Sequence, residues 1–414
     1  MQNKIKVAIV GLGYVGLPLY FLFKKKFETY GFDTDEKKIR ELKNYYDSKK
    51  QIPKYLFKKF QTHYFFNNIN KISDANFFII TVPTPVYKNN KPNLKFLEDV
   101  SKSIATIIKK NDILVFESTV YPGVTRNLCI PIIENNSQLK INKDFFVGYS
   151  PERVNPGDNL HKIQNVAKII SSSNKSSLNK IENVYKKVIK SKLHKVDSIE
   201  IAEAAKVIEN SQRDVNIAFV NEISIILDKL QIDTNKVLEA ASTKWNFQKF
   251  TPGLVGGHCI SIDPYYLSFL ASQNNLDTDV ILSGRKINDY MPKYYANRII
   301  SKLKKNNKQL SRSSILLLGF AFKENCSDFR NSKVLDLYKN LLSKKIKVDI
   351  HDPIVPKKIV QSELGIKIYN KFNKKKYDAI ILTVKHKFYK KIGKRNIFKM
   401  GKNNFFYFDI KNFL

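Results

Sequence analysis

The sequence predicts an α/β protein built from two doubly wound domains joined by a long central helix and its helical surroundings. Three observations carry that prediction. A glycine-rich turn directly follows the first apolar strand; short apolar strands separated by helical stretches recur at both ends of the chain; and Ser198 to about Leu230 keeps a helical pattern with neither Pro nor Gly. At 414 residues and 43% apolar content, the chain can bury two or three cores, which excludes disorder as its dominant state.

Ile5 to Val10 reads as a buried strand, and Gly11-Leu-Gly13-Tyr14-Val15-Gly16 follows at once, opening a helix expected to end near Phe27. Gly11 permits the tight turn, Gly13 lets backbone approach a pyrophosphate, and Gly16 allows close helix-to-strand packing, with the helix N-terminus facing the phosphates. A second strand, Thr29 to Phe32, ends in Asp33, where a carboxylate can bond an adenosine ribose. This is the Rossmann arrangement for a dinucleotide, and Tyr14 and Val15 belong to the same cofactor turn. Asp33 would repel a 2′-phosphate, so NAD is expected rather than NADP; Lys38, with Lys37 and Arg40, adds positive charge beside it and counts among the cofactor candidates.

Three further strands run into polar turns: Phe77 to Val82 into Pro83-Thr84-Pro85, Asp112 to Phe116 into Glu117-Ser118-Thr119, and Phe145 to Ser150 into Pro151-Glu152-Arg153. Open α/β sheets bind ligands beyond the carboxyl ends of their strands. Pro83, Thr84, Ser118 and Thr119 are therefore candidates for the cofactor, and Glu152 and Arg153 for the substrate.

On the central helix Lys206 and Asn210 are four residues apart and share a face. Polar residues on several of its faces fit either a solvated spacer or an active-site wall that also packs against a partner. The segment KWNFQKFTPGLVGGHCISIDPYYL (Lys244 to Leu267) then crowds Pro252, Gly253, Gly256 and Gly257 into a loop just before Cys259, with Phe250 at its start. Such glycines are expected to let a substrate approach the backbone and to leave the sulfur accessible. Asp263 lies on the side of Cys259 if a helical turn begins there, and His258 reads as structural. Near the end, Ser314 to Leu318 is a strand followed by Gly319-Phe-Ala-Phe-Lys323 and then Asp328, Arg330 and Ser332; Val348 to His351 and Ala379 to Thr383 are further strands. This second sheet lacks a G-x-G-x-x-G turn, so a nucleotide there must be held differently.

Lys and Arg total 72 against 37 Asp and Glu, a net +35 that would ordinarily prompt a search for nucleic acid or a membrane. The lysines are spread along the whole chain as short runs, Lys24 to Lys26 and Lys374 to Lys376 among them, which reads as a solvated surface with a modest attraction for anions. Three widely spaced cysteines fit a reducing, cytoplasmic setting without disulfides, Cys129 and Cys326 being ordinary buried thiols. Six isolated histidines argue against a metal site. The apolar run Val7 to Phe23 could pass for a signal or membrane segment, but its fixed glycine offsets fit the dinucleotide turn better.

The combination of GLGYVGLP, VPTP, ESTVYPGVT, SPERVNPGD, the Lys206 to Asn221 helix, GLVGGHCISIDPYYL and GFAFKENCSDFRNS, in that order over nearly the whole chain, resembles the nucleotide-sugar 6-dehydrogenases. Within that family TKWNFQKFTPGLVGGHC is most similar to members acting on UDP-N-acetylglucosamine and UDP-N-acetylgalactosamine in O-antigen and Vi-antigen synthesis. UDP-glucose members carry a second Glu where Pro156 stands. The resemblance implies an NAD-binding domain over 1–195, a helical dimerisation and cysteine-bearing domain over 196–300 and a UDP-binding domain over 301–414. It implies oxidation of a C6 alcohol to a carboxylate by two NAD in succession, for surface polysaccharide, with no nucleic acid, metal or membrane insertion and with a homodimer expected.

In that scheme Cys259 is the nucleophile of a thiohemiacetal and then a thioester. A base or an ordered water takes the first proton. Lys206 and Asn210 stabilise the alkoxide, Asp263 and Thr119 position water, and Glu152 joins the acid-base work. Lys323 reaches substrate and Arg330 the cofactor phosphates, while Arg213 and Arg285 are weaker candidates, either to touch substrate or to support the residues that do. UDP-N-acetylmannosamine and UDP-glucose are alternative substrates. A single-hydride Rossmann dehydrogenase would not need the GGHC loop, and a basic nucleic-acid-binding protein would not need the cysteine, lysine and asparagine set.

Overall fold

A computed structural model describes residues 4–48, 52–60, 62–153 and 163–411. The chain divides into two compact units: Met1–Glu209 with Tyr265–Leu276, and Asn210–Pro264 with Asp277–Leu414.

The first unit holds β1 (Lys6–Val10), β2 (Glu28–Phe32), β3 (Tyr64–Phe66), β4 (Phe77–Ile80), β5 (Ile113–Phe116), β6 (Phe146–Tyr149), β7 (Lys168–Ser172) and β8 (Leu193–Lys195). They form one sheet in the order β3-β2-β1-β4-β5-β6-β7-β8, parallel except where β7 meets β6. Alternation decides which side chain goes where: Ala8, Val10, Phe78, Ile80, Leu114 and Phe116 enter one core, and Val7, Ile9, Phe77, Ile79, Ile113 and Val115 the other. Val10 pairs with both Phe32 and Ile80, Ile80 with Phe116 and Phe116 with Tyr149, so five strands finish in one row. Gly11, Asp33, Thr81, Glu117 and Ser150 thus start their turns along a single edge, and strand order reverses between β1 and β4.

The helix after β1 covers Gly16–Phe23 and stops short of the expected Phe27, because Lys24 to Lys26 form a turn in which Lys26 and Phe27 both donate to the Phe23 carbonyl. The long helix is Ile199–Lys229, close to its expected span. Its first turns are tied down by Glu203, which is fully buried and accepts the backbone N–H groups of Gly123 at 2.6 Å and Thr125 at 3.0 Å. Burial raises this carboxyl from the ordinary 4.5 to about 7, partly offset by its bonds to Thr125 and Gly123.

The second unit holds β9 (Ser314–Leu318), β10 (Lys347–His351), β11 (Ile368–Tyr369), β12 (Tyr377–Leu382) and β13 (Gly401–Asp409), all parallel in the order β11-β10-β9-β12-β13. Its helix Asp279–Lys305 lies against the second half of the long helix, where Arg285 pairs with buried Asp214 at 2.6 Å and Asn288 bonds Asp214 and Asn221. Among the described residues no helix is long and apolar enough to cross a membrane.

Because Glu203 binds protons more readily folded than unfolded, its share of the stability is present below about pH 4.5 and is lost as pH rises toward 7. Glu203→Gln should flatten that part of the pH dependence of Tm, measured by calorimetry, and Glu203→Ala should lower stability by about 2–4 kcal/mol through two orphaned N–H groups.

Candidate functional site

The glycine turn after β1 is built as the sequence requires. Gly11 has φ +91°, and a side chain at Gly16 would strike the Gly11 carbonyl at 1.8 Å, so the turn and helix close only with glycine at both positions. A Cβ on Gly13, by contrast, would meet nothing within 4 Å. The space over Gly13 at the start of this helix is therefore open, which is compatible with an anion at the helix N-terminus. Thr81 Oγ1 donates to the Gly11 carbonyl at 2.6 Å, and Asp33 accepts the Leu12 N–H at 2.8 Å while pairing with Lys38 at 2.7 Å. Asp33, at the end of β2, therefore braces the turn.

The neighbouring turns are laced to one another. Thr84 Oγ1 donates to the Thr119 carbonyl at 2.6 Å and Ser118 Oγ to the Val82 carbonyl at 2.7 Å, while Tyr266 donates to the Thr84 carbonyl. Pro83, Thr84, Ser118 and Thr119 thus form one ledge beyond β4 and β5. Glu152 is buried, with one oxygen accepting the Arg153 N–H at 2.7 Å. The Arg153 guanidinium engages Glu209 and the Ala167 carbonyl, so protein groups already fix it. The remainder of the SPERVNPGD motif, Pro156 included, lies outside the described residues.

On the long helix Lys206 is buried and stands one turn before Asn210. In the second unit Asn210 Nδ2 donates to Asp263 at 2.5 Å, and the Asp263 N–H donates to the Cys259 carbonyl at 2.8 Å. A helix does begin at Asp263, running to Gln273, so the expected turn forms and joins Asn210, Cys259 and Asp263. Cys259 is exposed and not disulfide-bonded, whereas Cys129 and Cys326 are buried. The structure leaves the sulfur accessible, while Asp263 is 2% exposed and its carboxylate is held firmly.

The glycines before Cys259 make close contacts within the protein itself. Gly256 presses on the Asn331 carbonyl, where a Cβ would come within 2.4 Å; Gly257 lies against Phe322; and Gly253 faces the Lys411 ammonium. Their missing side chains make room for the protein's own GFAFKENCSDFRNS segment and C-terminal stretch. Gly253 is held on both backbone groups by Asn221. Phe250 is half-buried and Arg213 exposed, and Arg285 is spent on Asp214 and Asp289 rather than left for a substrate. His258 lies 3.3 Å from Asp328, in keeping with its structural reading.

Leu318, His351, Leu382 and Asp409 end their strands in register, so the segments after them share an edge as in the first sheet. Here Asp352 takes the place of a glycine cradle: it accepts the N–H groups of Phe320, Ala321, Ile354 and Val355 and pairs with buried His386 at 3.0 Å. Lys323 stands over the Phe322 ring, and Arg330 makes a two-pronged contact with Asp328. Burial pushes the Asp328 carboxyl up, yet bonds from His258 and Arg330 outweigh it and hold the group well below the usual range. Sequence reasoning missed Lys411, whose ammonium burial lowers to about 8. Its position two residues past the end of β13 was the available signal.

Comparison with known proteins agrees with this geometry. The UDP-glucose/GDP-mannose dehydrogenase family matches in three parts: its NAD binding domain over residues 5–189, its central domain over 200–290 and its UDP binding domain over 316–414. A UDP-N-acetyl-D-glucosamine 6-dehydrogenase of Salmonella typhi is 45% identical over 99% of this chain and 96% of its own. One from Pseudomonas aeruginosa is 44% identical over 100% and 98%. The solved UDP-D-ManNAc dehydrogenase of Pyrococcus horikoshii superposes with a TM-score of 0.88 at 27% identity, covering 99% of this chain and 96% of that one. A dinucleotide cradle, an accessible cysteine beside a held Asn–Asp pair and a second nucleotide-type sheet, matched along the chain by all three family models, establish that this protein belongs to the UDP-glucose/GDP-mannose dehydrogenase family.

Proposed function

We propose that the protein is an NAD-dependent UDP-N-acetylglucosamine 6-dehydrogenase that carries C6 from alcohol to carboxylate without releasing the aldehyde. The observation that carries this reading is the exposed Cys259 next to the Asn210–Asp263 pair, one helical turn from buried Lys206. The 44–45% identity to two enzymes named for UDP-N-acetyl-D-glucosamine favours that sugar over its epimers and over UDP-glucose. The resulting uronate suits surface polysaccharide. The three-part division 1–195, 196–300 and 301–414 assigns NAD, cysteine and UDP to successive segments.

NAD, when bound, supplies the acceptor for hydride, twice per sugar. Gly11 to Gly16 and Asp33 hold it, with Tyr14, Val15, Lys38, Pro83, Thr84, Ser118 and Arg330 around it. Lys206 and Asn210 donate to the C6 oxygen as charge develops there, the Lys206 ammonium supplying most of the stabilisation. A base or an ordered water takes the hydroxyl proton in this first step. The Cys259 thiolate adds to the aldehyde carbon to give a thiohemiacetal, and loss of the second hydride leaves a thioester. Thr119 and Asp263 position the hydrolytic water, and Glu152 accepts a proton as that water attacks, returning the Cys259 thiol and a carboxylate. Arg153, Arg213, Phe250, Gly253, Gly256, Gly257 and Lys323 line the path of the nucleotide sugar, and Lys411 joins them as a cation facing Gly253.

Assembly as a homodimer is supported by the long helix, which exposes Ile201, Ile208, Phe219, Ile226 and Leu230 along one stripe. A self-complementary apolar stripe of this kind suits a two-fold partner.

With limiting UDP-N-acetylglucosamine, about two NADH per sugar should form, and Cys259→Ser should stop at or before the first oxidation. One NADH per sugar with an unaffected variant would instead mark a single-hydride enzyme. Lys206→Ala should lower kcat by about 10²–10³ with a smaller change in KM, read by steady-state kinetics. Phe219→Asp should halve the sedimenting mass if the stripe is the dimer seam.

A further inference from the structure

Three candidates stand outside the chemistry above. A lysine-lined concavity at Lys25, Lys186 and Lys190 has no buried polar group to define a ligand, and the apolar stripe is already assigned to the dimer. The third is a buried charge cluster behind Glu152, and it carries an argument.

Lys168, on β7, is the antiparallel strand's first residue, and its side chain is 6% exposed. Burying an ammonium there is costly, so its partners are informative. Nζ donates to Glu117 Oε2 at 2.9 Å and to the Pro151 carbonyl at 3.4 Å, and it lies 4.0 Å from Glu152 Oε2. Glu117 has no exposed side chain, and its other oxygen accepts the Tyr185 hydroxyl. Tyr185 also presents its ring to the ammonium, 5.4 Å from Nζ to the centroid. Glu117 and Tyr185 therefore clamp Lys168 from behind, and the remaining charge of the ammonium points at Pro151 and Glu152. Two carboxylates share one cation, and burial together with Glu152 raises the Glu117 carboxyl while Lys168 opposes this. Arg153 also stands beside Glu152, its guanidinium engaged by Glu209. Lys168, Glu152 and Arg153 line one small cavity.

We propose that Lys168 is a positioning residue for the reaction: clamped by Glu117 and Tyr185, its ammonium fixes the Pro151–Glu152 turn and faces the Glu152 carboxylate. This rests on the reading of Glu152 as the proton acceptor of hydrolysis. The cluster gives the two members of the clamp opposite effects. Removing the cation leaves Glu152 facing another carboxylate; removing the Glu117 charge gives Glu152 the whole of the cation.

The test is the pH profile of kcat for NADH formation in the full-length protein. Lys168→Met should move the acid limb up by about one pH unit and Glu117→Gln should move it down, with Lys168→Arg staying near wild type even if slower. A structural role alone would lower Tm and activity without opposite displacements, so limbs that stay put or move together overturn the proposal. If Lys168→Met fails to fold, Glu117→Gln and Lys168→Arg still decide the question. Glu152→Gln separates the two layers: wild-type kcat in that variant overturns the Glu152 reading itself, whereas a crippled Glu152→Gln with unmoved limbs overturns only the part given to Lys168.

Discussion

A carboxylate sealed from water governs the arrangement of the first unit. Glu203 sits in the second turn of the long helix and closes on the backbone of Gly123 and Thr125, two groups that would otherwise be orphaned where the segment after Thr119 turns into its helix. Burying such a group is expensive, and the geometry that makes it tolerable leaves little freedom. Lys206 follows three residues later, so the same clasp that satisfies the Gly123 turn sets where that ammonium stands relative to the ledge of Thr84, Ser118 and Thr119. Packing and candidate chemistry in this unit are therefore one problem: the helix cannot shift along the sheet without breaking both bonds to Glu203.

The two sheets solve the same task by different means. The second is parallel throughout and the first parallel but for β7 against β6, both reverse their order beside their first strand, and both align the carboxyl ends of their central strands in a row. In both, the aspartate after the second strand accepts the amide next to the turn glycine, Asp33 from Leu12 and Asp352 from Phe320; in the first the space over Gly13 stays open, whereas in the second Asp352 also takes the Ala321 amide and is itself pinned by His386. The second edge thus offers cations, Lys323 and Lys411 among them, in place of bare amides. Division of labour between an amide cradle and a cationic rim fits a protein whose family models name NAD for one domain and UDP for the other.

What could be read from the sequence follows the range of the interactions involved. Period-two alternation and the turn residues after each strand are local, and they located β1, β2, β4, β5, β6, β9, β10 and β12, along with the turns that Gly11, Asp33, Thr84, Thr119 and Glu152 occupy. The start of the helix at Asp263 was legible because its condition is also local. Lys168 and Glu117 are 51 positions apart, and Glu203 is 80 from Gly123, and no periodicity marks such pairs. The glycines at 253, 256 and 257 announced a close approach, but not that Asn331, Phe322 and Lys411 make it. Charge alone left two roles open for Arg285, and its pairing with Asp214 inside the helix pair is another long-range contact that no local pattern marks.

The contact between Asp33 and Lys38 has a bearing on how tightly the cofactor can be held. Asp33 already satisfies the Leu12 amide and an ammonium that is less than a quarter exposed, so a ribose bound there, as proposed, would meet an internal competitor rather than a waiting acceptor. Part of the interaction energy is thereby returned on every binding event, when Lys38 must swing aside or share the oxygen. In the two-step oxidation proposed above, where spent cofactor would leave while the sugar stays on Cys259, a ribose site that restores its own ion pair on release would favour turnover over retention.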